Sequence, residues 1–186
     1  MVVKSKKKWD DEENIKNIPN ALTLFRFLAT FVIAYLILED FDPKTILIFY
    51  IVAASTDKLD GSWARLTSSV TKFGANFDII ADRAFFGVTI LCLIVYYAFI
   101  DMGNQLLVLS LFLIMTREMI TLPAILIMGM RIPETKTVGK MTTFLQAVTI
   151  GMIILQWKIS FYFSILTGIV GIFSGVTYFN DILSKK

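Results

Sequence analysis

Apolar residues run through this chain in long blocks that are hydrophobic all round rather than on one stripe, so helical periodicity alone does not separate a buried face from an exposed one. The blocks predict spans at Ala21 to Leu38, Lys44 to Leu66, Ala75 to Ile100, Gln105 to Met130, Met141 to Gln156 and Phe161 to Ile182. Each is close to the roughly 20 residues that cross a bilayer as a helix. Asn17 or Asn20 with Pro19 suits the entrance of the first helix, and Asp42 with Pro43 that of the second. The expected architecture is all-α, a polytopic membrane protein of six transmembrane helices. Residues 1–20 would be a cytoplasmic N-terminal arm and residues 21–186 the membrane-embedded catalytic domain.

Composition supports lipid as the solvent. Of 186 residues, 56% are hydrophobic, and the mean hydropathy is +0.70, well above a soluble domain of this size. The N-terminal stretch mixes Lys4, Lys6, Lys7, Lys8 and Lys16 with Asp10, Asp11, Glu12 and Glu13, which is not the layout of a cleavable signal peptide. With both termini inside, the cytoplasmic side collects those lysines and Lys58, Arg65, Lys72, Arg83, Arg131, Lys136, Lys140, Lys185 and Lys186. The opposite side keeps Lys44 and Lys158. This is a positive-inside bias, and it predicts a cell-membrane protein whose polar site opens to the cytoplasm. The net charge of +3 is dispersed beside membrane segments, so no nucleic-acid partner is expected. Phenylalanines suit lipid contact and packing, while Trp9, Trp157, Tyr162 and Tyr178 suit membrane interfaces.

The candidate chemistry is narrowed by what is missing. The chain has no histidine and one cysteine, Cys92, which excludes His-based triads, His-ligated zinc and a disulfide framework. Any metal would be held by oxygen, favouring magnesium, manganese or calcium.

Four acids stand inside otherwise apolar segments: Asp57 and Asp60 near the end of the second, Asp78 and Asp82 near the start of the third. Each is costly in hydrocarbon unless it faces a cavity, a partner or a metal. Asp57, Asp60, Gly61, Ala64 and Arg65 share one helical face, and Gly74, Asp78 and Asp82 share another. A short connection reverses the chain between them, so the two faces can oppose each other. One or two divalent cations would relieve the repulsion, hold a diphosphate and steady a transferring phosphorus, and an acid partly free of metal could take a proton from an attacking alcohol. Gly61, Ala64 and Gly74 leave room for backbone contact or for a nucleotide diphosphate, although small residues also serve ordinary helix packing in membranes.

The arrangement Asp57-x2-Asp60-Gly61-x2-Ala64-Arg65-x8-Gly74-x3-Asp78-x3-Asp82 resembles the complete signature of the CDP-alcohol phosphatidyltransferases. The resemblance implies a six-helix enzyme, commonly a homodimer among membrane lipids, with a cytosol-facing cavity for a CDP-linked lipid and magnesium or manganese, two ions in all. It implies Asp57, Asp60 and Asp78 as metal ligands and Asp82 as general base that also touches the second metal. Asp60, Gly61, Ala64, Arg65 and Gly74 would shape the cytidine-diphosphate site. The acceptor hydroxyl would attack the lipid-linked phosphorus and release CMP without a covalent enzyme intermediate.

Further stretches, Asn17 to Arg26, Phe73 to Asp78, Thr116-Arg117-Glu118 and Gly139 to Thr143, resemble the glycerol-phosphate branch of that family. CDP-diacylglycerol, or an ether-lipid analogue, and glycerol 3-phosphate are the expected substrates. Inositol phosphate, inositol and phosphatidylglycerol are alternative acceptors, since Arg83 and Ile79 depart from the usual lysine and proline of that branch, an arginine after the last acid is familiar in the inositol branch, and the stretch through Glu39-Asp40-Phe41 resembles cardiolipin synthases.

Arg117 lies deep in its segment and would bind an acceptor phosphate or pair with Glu118 or a site carboxylate. Lys140 would serve the same phosphate or snorkel to the interface, with Arg83 and Lys136 strengthening the positive rim. Thr23 and Arg26, at the mouth of the first helix, would contact the nucleotide diphosphate, or Arg26 would anchor the helix at the headgroups. From other classes, a cation-coupled transporter could also use intramembrane acids, but the small residues beside them fit a metal-diphosphate pocket better than a selectivity path. A metal-dependent lipid phosphatase would replace the alcohol by water.

Overall fold

The computed structural model describes residues 18–67, 72–102, 105–128 and 137–183. Within them, the side chains of 18–20, 57–67, 72–73, 75–76, 79, 117, 121–128, 137–138 and 178–183 lie outside the description.

The six apolar blocks are six α-helices: α1 Ile18–Leu38, α2 Pro43–Thr67, α3 Lys72–Val95, α4 Gln105–Met128, α5 Thr137–Ile154 and α6 Ser160–Leu183. Helix α3 runs on into a π-helical turn, Tyr96–Ile100. Among the described residues, three segments qualify by length and apolarity as membrane spans: Ala21–Leu38, Ile80–Ile100 and Ser160–Thr177. The other helices carry shorter apolar stretches, Pro43–Thr56, Gln105–Thr116 and Gly139–Ile154.

Helix α1 packs against both α2 and α3, while α6 packs against α4 and α5, and α2 meets α5 between these groups. The common core holds Ile33 and Ile37 of α1, Tyr50 and Ala53 of α2, Phe85 and Ile90 of α3, Leu111 and Ile114 of α4, and Ile150 and Ile153 of α5. Large apolar side chains also cover the outside, among them Ile48, Phe144, Ile169 and Phe173. That is an unfavourable surface in water and a suitable one in lipid.

Several buried polar groups are satisfied from one helix to the next. Thr149 and Thr167 share a hydroxyl hydrogen bond of 2.8 Å between α5 and α6. Gln146 donates from Nε2 to the Ile114 carbonyl across 3.2 Å, and the Tyr50 hydroxyl donates to the Ala147 carbonyl across 3.3 Å. Among the described residues, α4 and α6 approach each other closely. A Cβ built on Gly168 would stand 3.1 Å from the Leu113 carbonyl oxygen, and one on Gly175 would stand 3.0 Å from Ile120 Cγ2. Glycine is what lets these two helices touch, as small residues do elsewhere in membrane bundles.

Helices α1 and α5 end alike. The Phe41 amide donates to the Leu36 carbonyl at 3.0 Å and Asp40 to Ile37 at 3.2 Å, while Trp157 donates to Met152 at 3.0 Å and Gln156 to Ile153 at 2.9 Å. These are Schellman caps whose left-handed residue is glycine in most proteins. Here it is Asp40, φ 53°, and Gln156, φ 54°. Both ends meet the start of the π turn: Tyr96 donates its hydroxyl to the Asp40 side chain, and Tyr97 donates to the carbonyl of Ile153, in the last turn of α5, at 3.0 Å. Phe41 packs on Tyr35 with ring centroids 6.2 Å apart, the apolar contact that accompanies such caps.

Candidate active site

Counting along the helices places the acids at matched depths. Asp57 is ten residues from the C-terminal end of α2, and Asp82 is ten residues from the N-terminal end of α3. At about 1.5 Å per residue, both lie roughly 15 Å along their helices. Asp60 and Asp78 are correspondingly closer to those ends. Just beyond this level the bundle closes. Tyr50 stacks on Phe85 with centroids 5.1 Å apart, and Ala53, Thr56 and Ala81 are buried. Asp78 and Asp82 therefore stand at the edge of this buried layer.

Asp78 and Asp82, four residues apart, present one face of α3. Their side chains are 44% and 32% exposed, so both keep access to solvent. Beneath them lies Arg26 of α1, whose side chain is 1% exposed. Its Nη2 donates to Asp78 Oδ1 at 3.3 Å, and its Nη1 lies 3.7 Å from Asp82 Oδ1. Phe27 packs against Phe77 with centroids 6.0 Å apart, fixing this turn of α1 beside Asp78. Thr30 donates its hydroxyl to the Arg26 carbonyl at 2.9 Å, and Thr23, one turn earlier, is buried. Full burial removes the headgroup-anchor reading of Arg26: the guanidinium faces the acids.

On the other side of α3, Arg83 forms a salt bridge with Glu118 of α4. Both are largely buried, at 22% and 10% exposure of their side chains. Glu118 thus has its counter-charge on a different helix from the neighbouring Arg117. Lys140 is exposed in the first turn of α5, and Thr143 donates to the Gly139 carbonyl at 3.1 Å.

Several expected site residues cannot be placed atom by atom. The backbones of Asp57, Asp60, Gly61, Ala64 and Arg65 belong to α2 and that of Arg117 to α4, but their side chains lie outside the described residues. Lys136 lies outside them altogether, as does most of the N-terminal arm. Gly74 is half-buried in the first turn of α3. Among the described residues no three His, Cys, Asp or Glu side chains form a metal-binding group. What the structure does offer a divalent cation is chemically suitable: two partly exposed carboxylates one turn apart, with oxygen as the only donor, on the helix that follows the Asp57–Asp60 segment. The floor formed by Tyr50 and Phe85 was legible only indirectly, since Tyr50 precedes Asp57 by seven residues and Phe85 follows Asp82 by three, each sharing a helical face with its acid.

Carboxylates opening from an apolar helical bundle, with arginine packed below them, define a class of integral-membrane protein that handles a charged group in a lipid setting. The chain belongs to the CDP-alcohol phosphatidyltransferase family, whose profile matches residues 16–177. It is thus an enzyme of phospholipid biosynthesis, a transferase of a metal-dependent family that acts on a CDP-linked lipid and an alcohol acceptor.

Among curated proteins, it is 30% identical over 146 residues to a CDP-diacylglycerol–glycerol-3-phosphate 3-phosphatidyltransferase of Rickettsia felis, a match covering 77% of each chain. A protein of the same name from Cereibacter sphaeroides is 38% identical over 105 residues, 55% of this chain and 46% of the relative. One from Yersinia pestis is 36% identical over 83 residues, 44% of this chain and 46% of the relative.

Proposed function

We propose that this protein transfers the phosphatidyl group of CDP-diacylglycerol to glycerol 3-phosphate, giving phosphatidylglycerol phosphate and CMP, the reaction of a phosphatidylglycerolphosphate synthase. The observation that carries the acceptor assignment is the relationship to the Rickettsia felis enzyme, which spans most of both chains and bears that name.

In this reading all six helices cross the membrane, both termini face the cytoplasm, and the cavity between α2 and α3 opens to that side. The positive-inside distribution of lysine and arginine supports the orientation. Residues 1–20 form a cytoplasmic arm ahead of the catalytic bundle, and the enzyme works as a homodimer.

Asp57, Asp60, Asp78 and Asp82 would hold two magnesium or manganese ions, which would supply charge neutralisation for the diphosphate and for the departing phosphate. Asp60, Gly61, Ala64, Arg65 and Gly74 shape the cytidine-diphosphate pocket, with Thr23 and Arg26 below it. Asp82 accepts the proton of the acceptor hydroxyl. The acceptor oxygen then bonds to the lipid-linked phosphorus, the bond from that phosphorus to the oxygen it shares with the CMP phosphate breaks, and CMP leaves with the electron pair. Arg117, deep in α4, and Lys140 receive the phosphate of glycerol 3-phosphate, and Arg83 and Lys136 add positive charge on the cytoplasmic side.

The test is CMP release by the purified protein in lipid with CDP-diacylglycerol and magnesium or manganese, comparing glycerol 3-phosphate, inositol phosphate, inositol and phosphatidylglycerol. Selective product with glycerol 3-phosphate is the expected result. Selectivity for another alcohol would retain the transferase chemistry and overturn the acceptor.

A further inference from the structure

The bidentate placement of Arg26 does more than fill a gap between helices. Its guanidinium carries a permanent charge and is wholly buried, so it must keep a counter-charge at hand. It uses separate nitrogens for separate acids, Nη2 for Asp78 at 3.3 Å and Nη1 for Asp82 at 3.7 Å. The carboxylates keep 44% and 32% exposure while the arginine keeps 1%, so the guanidinium lies on the closed side of the pair and the carboxylates remain accessible from the other. Its position is fixed from both directions, by α1 packing on α2 and α3 and by the Phe27–Phe77 contact beside Asp78.

We infer that Arg26 is a positioning residue, the resident counter-ion of Asp78 and Asp82, and that it makes divalent-cation binding depend on the nucleotide diphosphate. The inference rests on the proposed metal role of these acids. Before any cation binds, the guanidinium offsets the repulsion between the carboxylates and holds both in one orientation. When a divalent cation approaches from the open side, the same fixed positive charge repels it across the carboxylates, so the cation alone binds weakly. A diphosphate brings negative charge attracted by both cations. Its binding therefore tightens that of the metal, and by linkage the metal tightens that of the nucleotide to the same degree. Arg26 acts through Asp78 and Asp82, and its effect appears first in binding.

The experiment measures free Mn2+ by electron paramagnetic resonance during titration of the full chain in lipid, with and without cytidine diphosphate, correcting for the Mn2+–nucleotide complex in solution. Wild type, Arg26→Gln and Arg26→Lys are compared. Wild type is expected to bind Mn2+ weakly alone and at least about tenfold more tightly with the nucleotide. Arg26→Gln is expected to bind Mn2+ at least about tenfold more tightly than wild type without nucleotide and to lose the part of the coupling that the guanidinium supplies, the direction Coulomb repulsion at these separations dictates. Arg26→Lys, which keeps the charge, should restore the wild-type pattern.

Unchanged or weaker Mn2+ binding in folded Arg26→Gln would overturn the inference while leaving the metal site intact. So would the absence of coupling in wild type, a readout that needs no variant to fold. If wild type bound no Mn2+ in either condition, the metal-site reading itself would fail, and this inference with it.

Discussion

Arg83 and Glu118 are ion-paired between α3 and α4, and the arginine of that pair directly follows Asp82. The pair is a polar tie between the helix that carries Asp78 and Asp82 and the other half of the bundle. Breaking one side leaves a largely buried charge without its partner, whereas removing both restores neutrality. Glu118→Ala and Arg83→Met should each destabilise the protein by about 1–3 kcal/mol, and the double variant by less than their sum. Thermal unfolding of all four proteins in one lipid or detergent system gives the cycle. Additive losses would show that the contact contributes nothing beyond its two side chains.

The two carboxylates of α3 are expected to fail in different ways. Asp82→Asn removes the proposed base and should lower the rate of CMP formation by about 100-fold or more, the usual worth of a positioned proton acceptor. It should leave substantial Mn2+ binding. Asp78→Asn removes a proposed metal ligand, so its loss of rate should come with weakened Mn2+ affinity and partial recovery at high metal. Steady-state rates across a manganese series separate the two patterns.

The α4–α6 contact gives a stability test remote from the acids. Gly168→Val would press a branched side chain on the Leu113 carbonyl oxygen, backbone that cannot turn aside, already 3.1 Å from an added Cβ. The expected cost is about 1–3 kcal/mol. Gly87→Ala meets nothing within 4 Å and should be neutral or slightly stabilising. Melting temperatures of the two variants measured side by side decide the matter.

At the other end of the bundle, the left-handed residue Asp40 is held by the Tyr96 hydroxyl. In the wild-type background, Asp40→Gly should gain little, because relief of the backbone is offset by loss of that hydrogen bond. In Tyr96→Phe, where the bond is already gone, the same substitution should stabilise by about 1 kcal/mol, the scale of the left-handed penalty for an L-residue. Equal effects in both backgrounds would remove the proposed compensation.

The helices were legible because apolar blocks and their Pro and Asp punctuation are local signals. Predicted and observed bounds agree within a few residues, with α5 beginning at Thr137 rather than Met141. The π turn at Tyr96–Ile100 was not legible. It depends on tyrosine partners at the ends of α1 and α5, and the caps it meets carry Asp40 and Gln156 where a sequence reader looks for glycine. The alignment of Asp78 with Asp82 followed from helical spacing. The burial of Arg26 beneath them did not, because a sequence gives a residue's place along α1 but not which neighbour that face meets. The Arg83–Glu118 pair was hidden for the same reason, its members standing 35 residues apart.

The most direct test of the account is where a metal sits. Crystals grown with Mn2+ and cytidine diphosphate should show anomalous density between α2 and α3, within coordination distance of the Asp57, Asp60, Asp78 and Asp82 carboxylates, with the diphosphate against it. Anomalous density elsewhere, with these four side chains turned away from it, would contradict the proposed centre.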